Sequence, residues 1–206
     1  MNANISTFFK VIKQSRTYMN ILYLLLSFPL GTFYFVFLIT GLSLWLGFSI
    51  TLFGIPILFA TILLLREFAK LERHLTKIML GVDIASDAKQ VPEGTWYKVK
   101  FYLTDSFSWR ALAYLFIKFP FGIISFVFLA TLLSLSLGLI ATPIFYHLTE
   151  IEIIQSTIFN INCYFVQVIF PIIGVFLLFI SFHTLNGLSH IFGLFAKHML
   201  EKRIKL

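Results

Sequence analysis

The chain has 206 residues, 59% of them hydrophobic and only 12% charged, with a formal net charge of +7. Soluble domains carry about twice that share of charge, so the composition excludes an ordinary water-soluble core and points to one compact polytopic membrane domain covering 1–206. Cys163 is the only cysteine, which excludes an intrachain disulfide and a cysteine-rich metal centre.

The chain opens with "MNANISTFFKVIKQSR", which has no short apolar run ending in a small-residue cleavage site, so it reads as mature cytoplasmic sequence. Every lysine and arginine falls in one of three blocks. The first holds Lys10, Lys13 and Arg16, the second runs from Arg66 to Lys118, and the third holds Lys197, Lys202, Arg203 and Lys205. Between them, 17–65 and 119–196 carry no basic residue. A membrane helix needs about 20 residues, so each gap has room for two. The expected spans are 29–47, 50–66, 120–140 and 164–183. Basic residues mark the cytoplasmic side, which places both termini and the central region inside and both hairpin tips outside.

The first span begins in "LLSFPLGTFYF" and the third in "FIKFPFGIISF", with Pro29 and Pro120 91 residues apart. Aligned without a gap, Ser15–Gly47 and Ser106–Gly138 agree at 16 of 33 positions. The matches include Tyr23/Tyr114, Pro29/Pro120, Gly31/Gly122 and Thr40/Thr131. Hydrophobic bias does not put proline, glycine and threonine in register, so a duplication is expected. Repeat 1 covers about 15–81 and repeat 2 about 106–206, joined by a linker at about 82–105. Both copies start on the cytoplasmic side, which predicts parallel repeats about an axis along the membrane normal.

Length suggests a role for the prolines. From Thr17 to Gly47 a straight helix would reach roughly 46 Å, against a hydrocarbon core of about 30 Å. Proline favours the first turn of a helix, so a break is expected between a shallow helix at Tyr18–Ser27 and a span starting at Pro29. Gly31 and Gly122 would then let backbones approach closely, and Pro56 would kink the second span. Tyr18, Tyr23, Trp109 and Tyr114 fit an interfacial aromatic belt. After span two, Phe68, Leu71, Leu75 and Ile78 recur at helical spacing and read as the apolar face of an interfacial helix. "GLFAKHMLEKRIKL" echoes it after span four.

The runs "YLLLSFPLGTFYFVFLITGLSL", "GIPILF", "LERHLTKIMLG" and "SWRALAYLFIKFPFG" resemble the prokaryotic sensor-domain family over nearly the whole chain. The resemblance implies a four-helix membrane module of the kind often placed ahead of histidine-kinase domains. This sequence ends at Leu206 without a dimerisation or ATPase region, so the output is expected from a separate partner.

Sites of chemistry are sparse. Apart from Arg66 at the inner end of the second, the four expected spans contain no Asp, Glu, Lys or Arg, which argues against ion-coupled transport. His183 and His190 share a helical face but lack a third metal ligand. Asn160, Asn162 and Gln167 gather at the outer end of span four and form a candidate polar lip. Thr40, Ser43, Thr131 and Ser134 are expected at helix–helix contacts. The segment "GTWYKVKFYLTDSFSW" reads as a short amphipathic helix or a strand on the membrane surface.

The expectation is an all-α, multi-pass cell-membrane protein with four transmembrane helices in two parallel repeats and interfacial amphipathic helices. Its role would be signal input from an apolar or amphipathic ligand or from membrane state. A small transporter or lipid carrier is the alternative, and no enzymatic activity, cofactor or metal is expected. Candidate hinge residues are Pro29, Gly31, Pro56, Pro120 and Gly122. Expected partners are membrane lipids, a separate kinase or transcriptional regulator, and a second copy of the chain; nucleic acid is not expected.

Overall fold

A computed structural model describes residues 14–51, 53–85, 95–149 and 163–201. Those residues form five α-helices: α1 (Ser15–Gly47), α2 (Gly54–Leu75), α3 (Thr95–Thr104), α4 (Ser106–Thr149) and α5 (Cys163–Leu200). The last turn of α2 widens into a π-helix, Thr76–Leu80, and Gly81 stops it in the left-handed region at φ 67°. Only glycine takes that conformation cheaply. Three helices are long and apolar enough to cross a membrane: Ser15–Gly47, Ser106–Phe145 and Gln167–Leu200.

The prolines do not break the helices as the sequence suggested. Pro29 lies inside α1, and Pro120 and Pro143 lie inside α4. Ring insertion frees carbonyls from the helical ladder, but nearby hydroxyls and packing neighbours compensate in membrane helices. On either side of Pro29, Ser27 Oγ donates to the Tyr23 carbonyl at 2.8 Å and Thr32 Oγ1 to the Phe28 carbonyl at 2.9 Å, so both hydroxyls are satisfied within the helix. Pro56 does not kink α2 either. It sits in the first turn, where no helical partner awaits its nitrogen. Gly54 makes that turn possible, since a Cβ there would lie 2.6 Å from the Phe48 carbonyl oxygen.

The excess length serves a different purpose from the one expected. α1 and α4, with 33 and 44 residues, reach about 50 and 66 Å, and their N-terminal halves lie along each other. Their contacts run in opposite senses. Ser125 Oγ donates to the Leu24 carbonyl at 3.2 Å, Gly122 faces Ser27, Gly31 faces Lys118, and Phe35 stacks on Phe119 at 4.4 Å. α1 and α4 therefore pair antiparallel along this stretch. This docking seats each Phe-Pro-x-Gly on the other and brings the charged turn of α2 to α4.

α2 folds back along α1, with Gly41 against Thr61 and Phe68 against Phe37 at 5.1 Å. α5 folds back along α4, with Ser136 against Ser181 at 3.2 Å and Phe121 against Phe192 at 5.3 Å. With α1 and α4 antiparallel, their C-terminal ends lie at opposite ends of a shared waist. Two apolar clusters fill it. One gathers Tyr34, Leu38, Leu65, Ala69, Ala111, Leu115 and Ala196, the other Tyr23, Leu24, Met79, Leu129, Leu185 and Phe192.

Several side chains sit differently from expectation. The buried face of α2 and its π-turn is Leu65, Ala69, Glu72, Thr76 and Met79, whereas Leu71 and Ile78 are 43% and 59% exposed. Tertiary packing thus selects a face offset from the one hydrophobicity suggests, because a buried partner waits for Glu72. Tyr18 and Trp109 are exposed as belt residues should be, but Tyr23 and Tyr114 are buried. Thr40, Ser43, Thr131 and Ser134 are exposed, and the close helix contacts use Gly41 with Thr61 and Ser136 with Ser181 instead.

Candidate functional site

The centre of the waist holds an ion pair shut away from water. Glu72 and Lys118 are 0% and 2% exposed, and Lys118 Nζ donates to Glu72 Oε2 at 2.8 Å. The same ammonium donates to Tyr23 Oη at 2.8 Å, and Tyr114 Oη donates to Glu72 Oε2 at 3.0 Å. Lys118 Nζ also lies 4.3 Å from the centre of the Tyr23 ring, within cation–π range.

Three helices build this site. α1 supplies Tyr23, α2 supplies Glu72, and α4 supplies Tyr114 and Lys118, one turn apart on one face. Isolated in such a setting, either charge would cost several kcal/mol; paired and hydrogen-bonded, they hold three helices in one register. The Tyr34 hydroxyl approaches the same carboxylate. It and Glu72 Oε1 nevertheless make no well-formed hydrogen bond with the described residues, and neither does the nearby Thr76 Oγ1. The site is an ion pair bordered by polar atoms that find no hydrogen bond among the described residues, each of them costly to bury unpaired.

A second polar group flanks it. Arg66 pairs with Asp105, donates to Ser108 Oγ from Nε at 3.0 Å, and lies 4.0 Å from the Tyr102 ring centre. Seven residues on, Arg73 donates to the Leu200 carbonyl at 2.6 Å and stands 4.5 Å from the Phe107 ring centre. Burial, then the charges of Arg110 and Arg66, hold the Arg73 guanidinium below its ordinary pKa. At the other end of the overlap, Asn20 donates to Asn186 at 2.9 Å and Asn186 to Thr17 at 3.1 Å, tying α1 to α5.

Of the residues singled out from sequence, Gly31 and Gly122 lie at the α1–α4 crossing next to this site. A Cβ on Gly31 would lie 2.8 Å from the Lys118 carbonyl oxygen, and one on Gly122 would lie 2.5 Å from that of Ser27. Pro29 and Pro120 sit in the same turns. Pro56 is far from it, at the hairpin tip. Asn160 and Asn162 lie outside the described residues, and Gln167 is half-buried in α5. His183 and His190 are both exposed, and among the described residues no group of three or more His, Cys, Asp or Glu is placed to hold a metal. The segment Thr95–Thr104 is helical.

Sequence reasoning missed Tyr23, Tyr34, Glu72, Tyr114 and Lys118 as a group. Two signals were present. Lys118 stands in "LFIKFPFG", a cation in an otherwise apolar run, where the matching position of the first copy is Ser27. Glu72 falls on the i, i+3, i+4 series of Leu65, Ala69, Thr76 and Met79.

Residues 23–200 match the model of the family described as "Putative sensor". No curated protein and no solved structure matches the chain.

Proposed function

The chain belongs to the Putative sensor family, and from that premise we propose a membrane-embedded signal-input module whose two hairpins are held in one arrangement by the Glu72–Lys118 pair. The observation that carries this reading is a fully buried ion pair joining α2 to α4 at the waist. A buried pair is a costly way to obtain stability and a good way to specify one arrangement among several. An apolar or amphipathic ligand, or a change in the bilayer, that prefers a second arrangement shifts the equilibrium by its difference in affinity. The shift would be read by a separate cytoplasmic kinase or regulator through the exposed charged face of α2, around Glu67, Lys70 and Lys77.

The two-repeat reading draws support from reciprocal contacts. Gly31 faces Lys118 and Phe119 while Gly122 faces Ser27 and Phe28, the same pairs offset by 91. Phe35 on Phe119 and Phe28 on Phe126 repeat the pattern. A fourth crossing is supported by α2 returning antiparallel along α1, although its uninterrupted apolar stretch, Gly54–Leu65, is short.

Charge distribution argues that both termini and the region 67–110 are cytoplasmic. In a Cys163→Ser background, an impermeant thiol reagent added to intact cells is expected to label cysteine at Gln155 and to spare it at Ser86. Cysteine at Ser49 separates two arrangements of the first hairpin. Labelling there would put both tips outside, and protection would mean that the antiparallel pairing of α1 with α4 persists in the bilayer.

Function is tested by crosslinking in native membranes, wild type against Lys118→Met. A cytoplasmic protein captured reproducibly by the wild type, in an amount the substitution changes, is the expected result. Protein-dependent flux of an apolar solute or lipid in vesicles, with no such partner, would replace the sensor reading with transport.

A further inference from the structure

The arginine group beside the ion pair is over-supplied with positive charge. Arg66 and Arg73 lie 5.7 and 4.5 Å from the Phe107 ring centre, Arg110 follows Phe107 by one turn of α4, and Asp105, which pairs with Arg66, is the one carboxylate bonded to any of the three among the described residues. Arg66 is fully engaged by Asp105 and Ser108. The other two are not. Arg73 Nε and Arg110 Nε are buried without a hydrogen-bond partner among the described residues, and Arg73 uses Nη2 on the Leu200 carbonyl. A charged donor shut off from water and left unpaired is costly. Both residues are only half-buried as a whole, so rotation of their outer torsions can bring these donors to the surface.

We propose that Arg73 and Arg110 form a binding site for a phosphate-class oxyanion, either the diester of an anionic phospholipid headgroup or a free phosphate. The planar fork of a guanidinium matches two phosphate oxygens, and one oxyanion between two such forks satisfies both Nε donors and offsets the unpaired charge. The surroundings suit a bilayer surface. Trp109, adjacent in sequence to Arg110, is 60% exposed with its Nε1 tied to the Leu103 carbonyl at 2.9 Å. Leu71 and Ile78, on the same helix and π-turn as Arg73, are exposed apolar residues. An indole and aliphatic side chains beside cations are the signature of headgroup depth. The site is distinct from the Glu72–Lys118 pair and stands whether or not that pair is a switch.

The test uses the full chain purified in a non-ionic, phosphate-free maltoside detergent, with phosphatidylglycerol or inorganic phosphate as the probe. Retention of phosphatidylglycerol is read by native mass spectrometry, and the effect of phosphate by the midpoint of thermal unfolding, since a ligand that binds the folded state raises it. Arg110→Gln is the main variant, because Arg110 makes no hydrogen bond among the described residues and its loss strands no partner. Affinity for at least one probe should fall about tenfold or more, with Arg110→Lys intermediate. Arg16→Gln, which removes an exposed charge, should leave it unchanged. An effect with phosphatidylglycerol alone identifies the lipid headgroup, and an effect with inorganic phosphate identifies the free anion. The proposal is overturned if Arg110→Gln matches the wild type with both probes, or if Arg16→Gln loses as much as Arg110→Gln.

Discussion

Replacing Lys118 by methionine is expected to destabilise the protein by about 3–5 kcal/mol, because it leaves the Glu72 carboxylate buried and uncompensated. Tyr114 would still donate to Glu72 Oε2, but one neutral hydroxyl does not balance a full charge. For a chain of this length the unfolding midpoint should drop by roughly 10 °C. Glu72→Met should cost a similar amount, since it strands the ammonium with only Tyr23 as a partner. The double substitution Glu72→Met with Lys118→Met removes both charges and keeps apolar volume in the waist. It should therefore recover most of the loss and come close to wild-type stability. The four proteins form a double-mutant cycle, read by thermal unfolding in detergent. If the double variant is as unstable as the sum of the singles, the two groups are not coupled and the pair does not set the register of α2 against α4. If it is stable but no longer responds to a stimulus that moves the wild type, the pair has been separated from stability and tied to signalling.

The second large effect concerns Gly122. Its missing Cβ would stand 2.5 Å from the Ser27 carbonyl oxygen and 2.9 Å from the Phe28 Cα, and both are backbone atoms that no rotamer change can remove. Gly122→Ala must push α1 and α4 apart, at about 1–3 kcal/mol for an overpacked contact. Gly31→Ala should behave in the same way but more mildly, since its nearest atom is the Lys118 carbonyl oxygen at 2.8 Å. Gly187 supplies the control. It also lies within a helix but would meet nothing within 4 Å, so Gly187→Ala should gain up to about 1 kcal/mol from helix propensity alone. Unfolding midpoints in the order Gly187→Ala, wild type, Gly31→Ala, Gly122→Ala would bear out the close crossing. A neutral Gly122→Ala would mean that the helices are not in backbone contact there.

Much of the architecture could be read from the sequence because it rests on local rules. Long charge-free runs give long helices, and a duplicated Phe-Pro-x-Gly marks one special turn in each half. The direction in which the halves meet could not be read in the same way. Parallel and antiparallel docking bury the same glycines, and only the pairing of specific side chains, Leu24 with Ser125 or Glu72 with Lys118, distinguishes them. The central site was hidden for a related reason. By composition Lys118 belongs to a basic block and Glu72 to an amphipathic segment, and each looks like a solvated charge until the partner helix covers it. The apolar face assigned to Leu71 and Ile78 failed on the same ground: periodicity locates a stripe, but tertiary partners decide which stripe turns inward. Tyr23 and Tyr114 likewise match an interfacial belt by type and are drawn inside by a cation that needs their hydroxyl or ring.

The crossing of α1 and α4 is balanced, since each glycine meets the turn that matches its own neighbours in the other copy. The ion pair is not balanced. The position matching Lys118 is Ser27, whose hydroxyl is spent on the Tyr23 carbonyl of its own helix. Two interchangeable halves would respond identically to a disturbance from either end and could not tell one from the other. A lone Lys–Glu contact placed on one side of the crossing breaks that tie. It ties α4 to α2 by a charged bond, whereas the side-chain bonds from α1 to α5 among the described residues, Asn20 with Asn186 and Asn186 with Thr17, are neutral, so the two hairpins are expected to differ in stiffness. A difference of that kind would give a signal-input module a sense of direction, which symmetry alone would deny it.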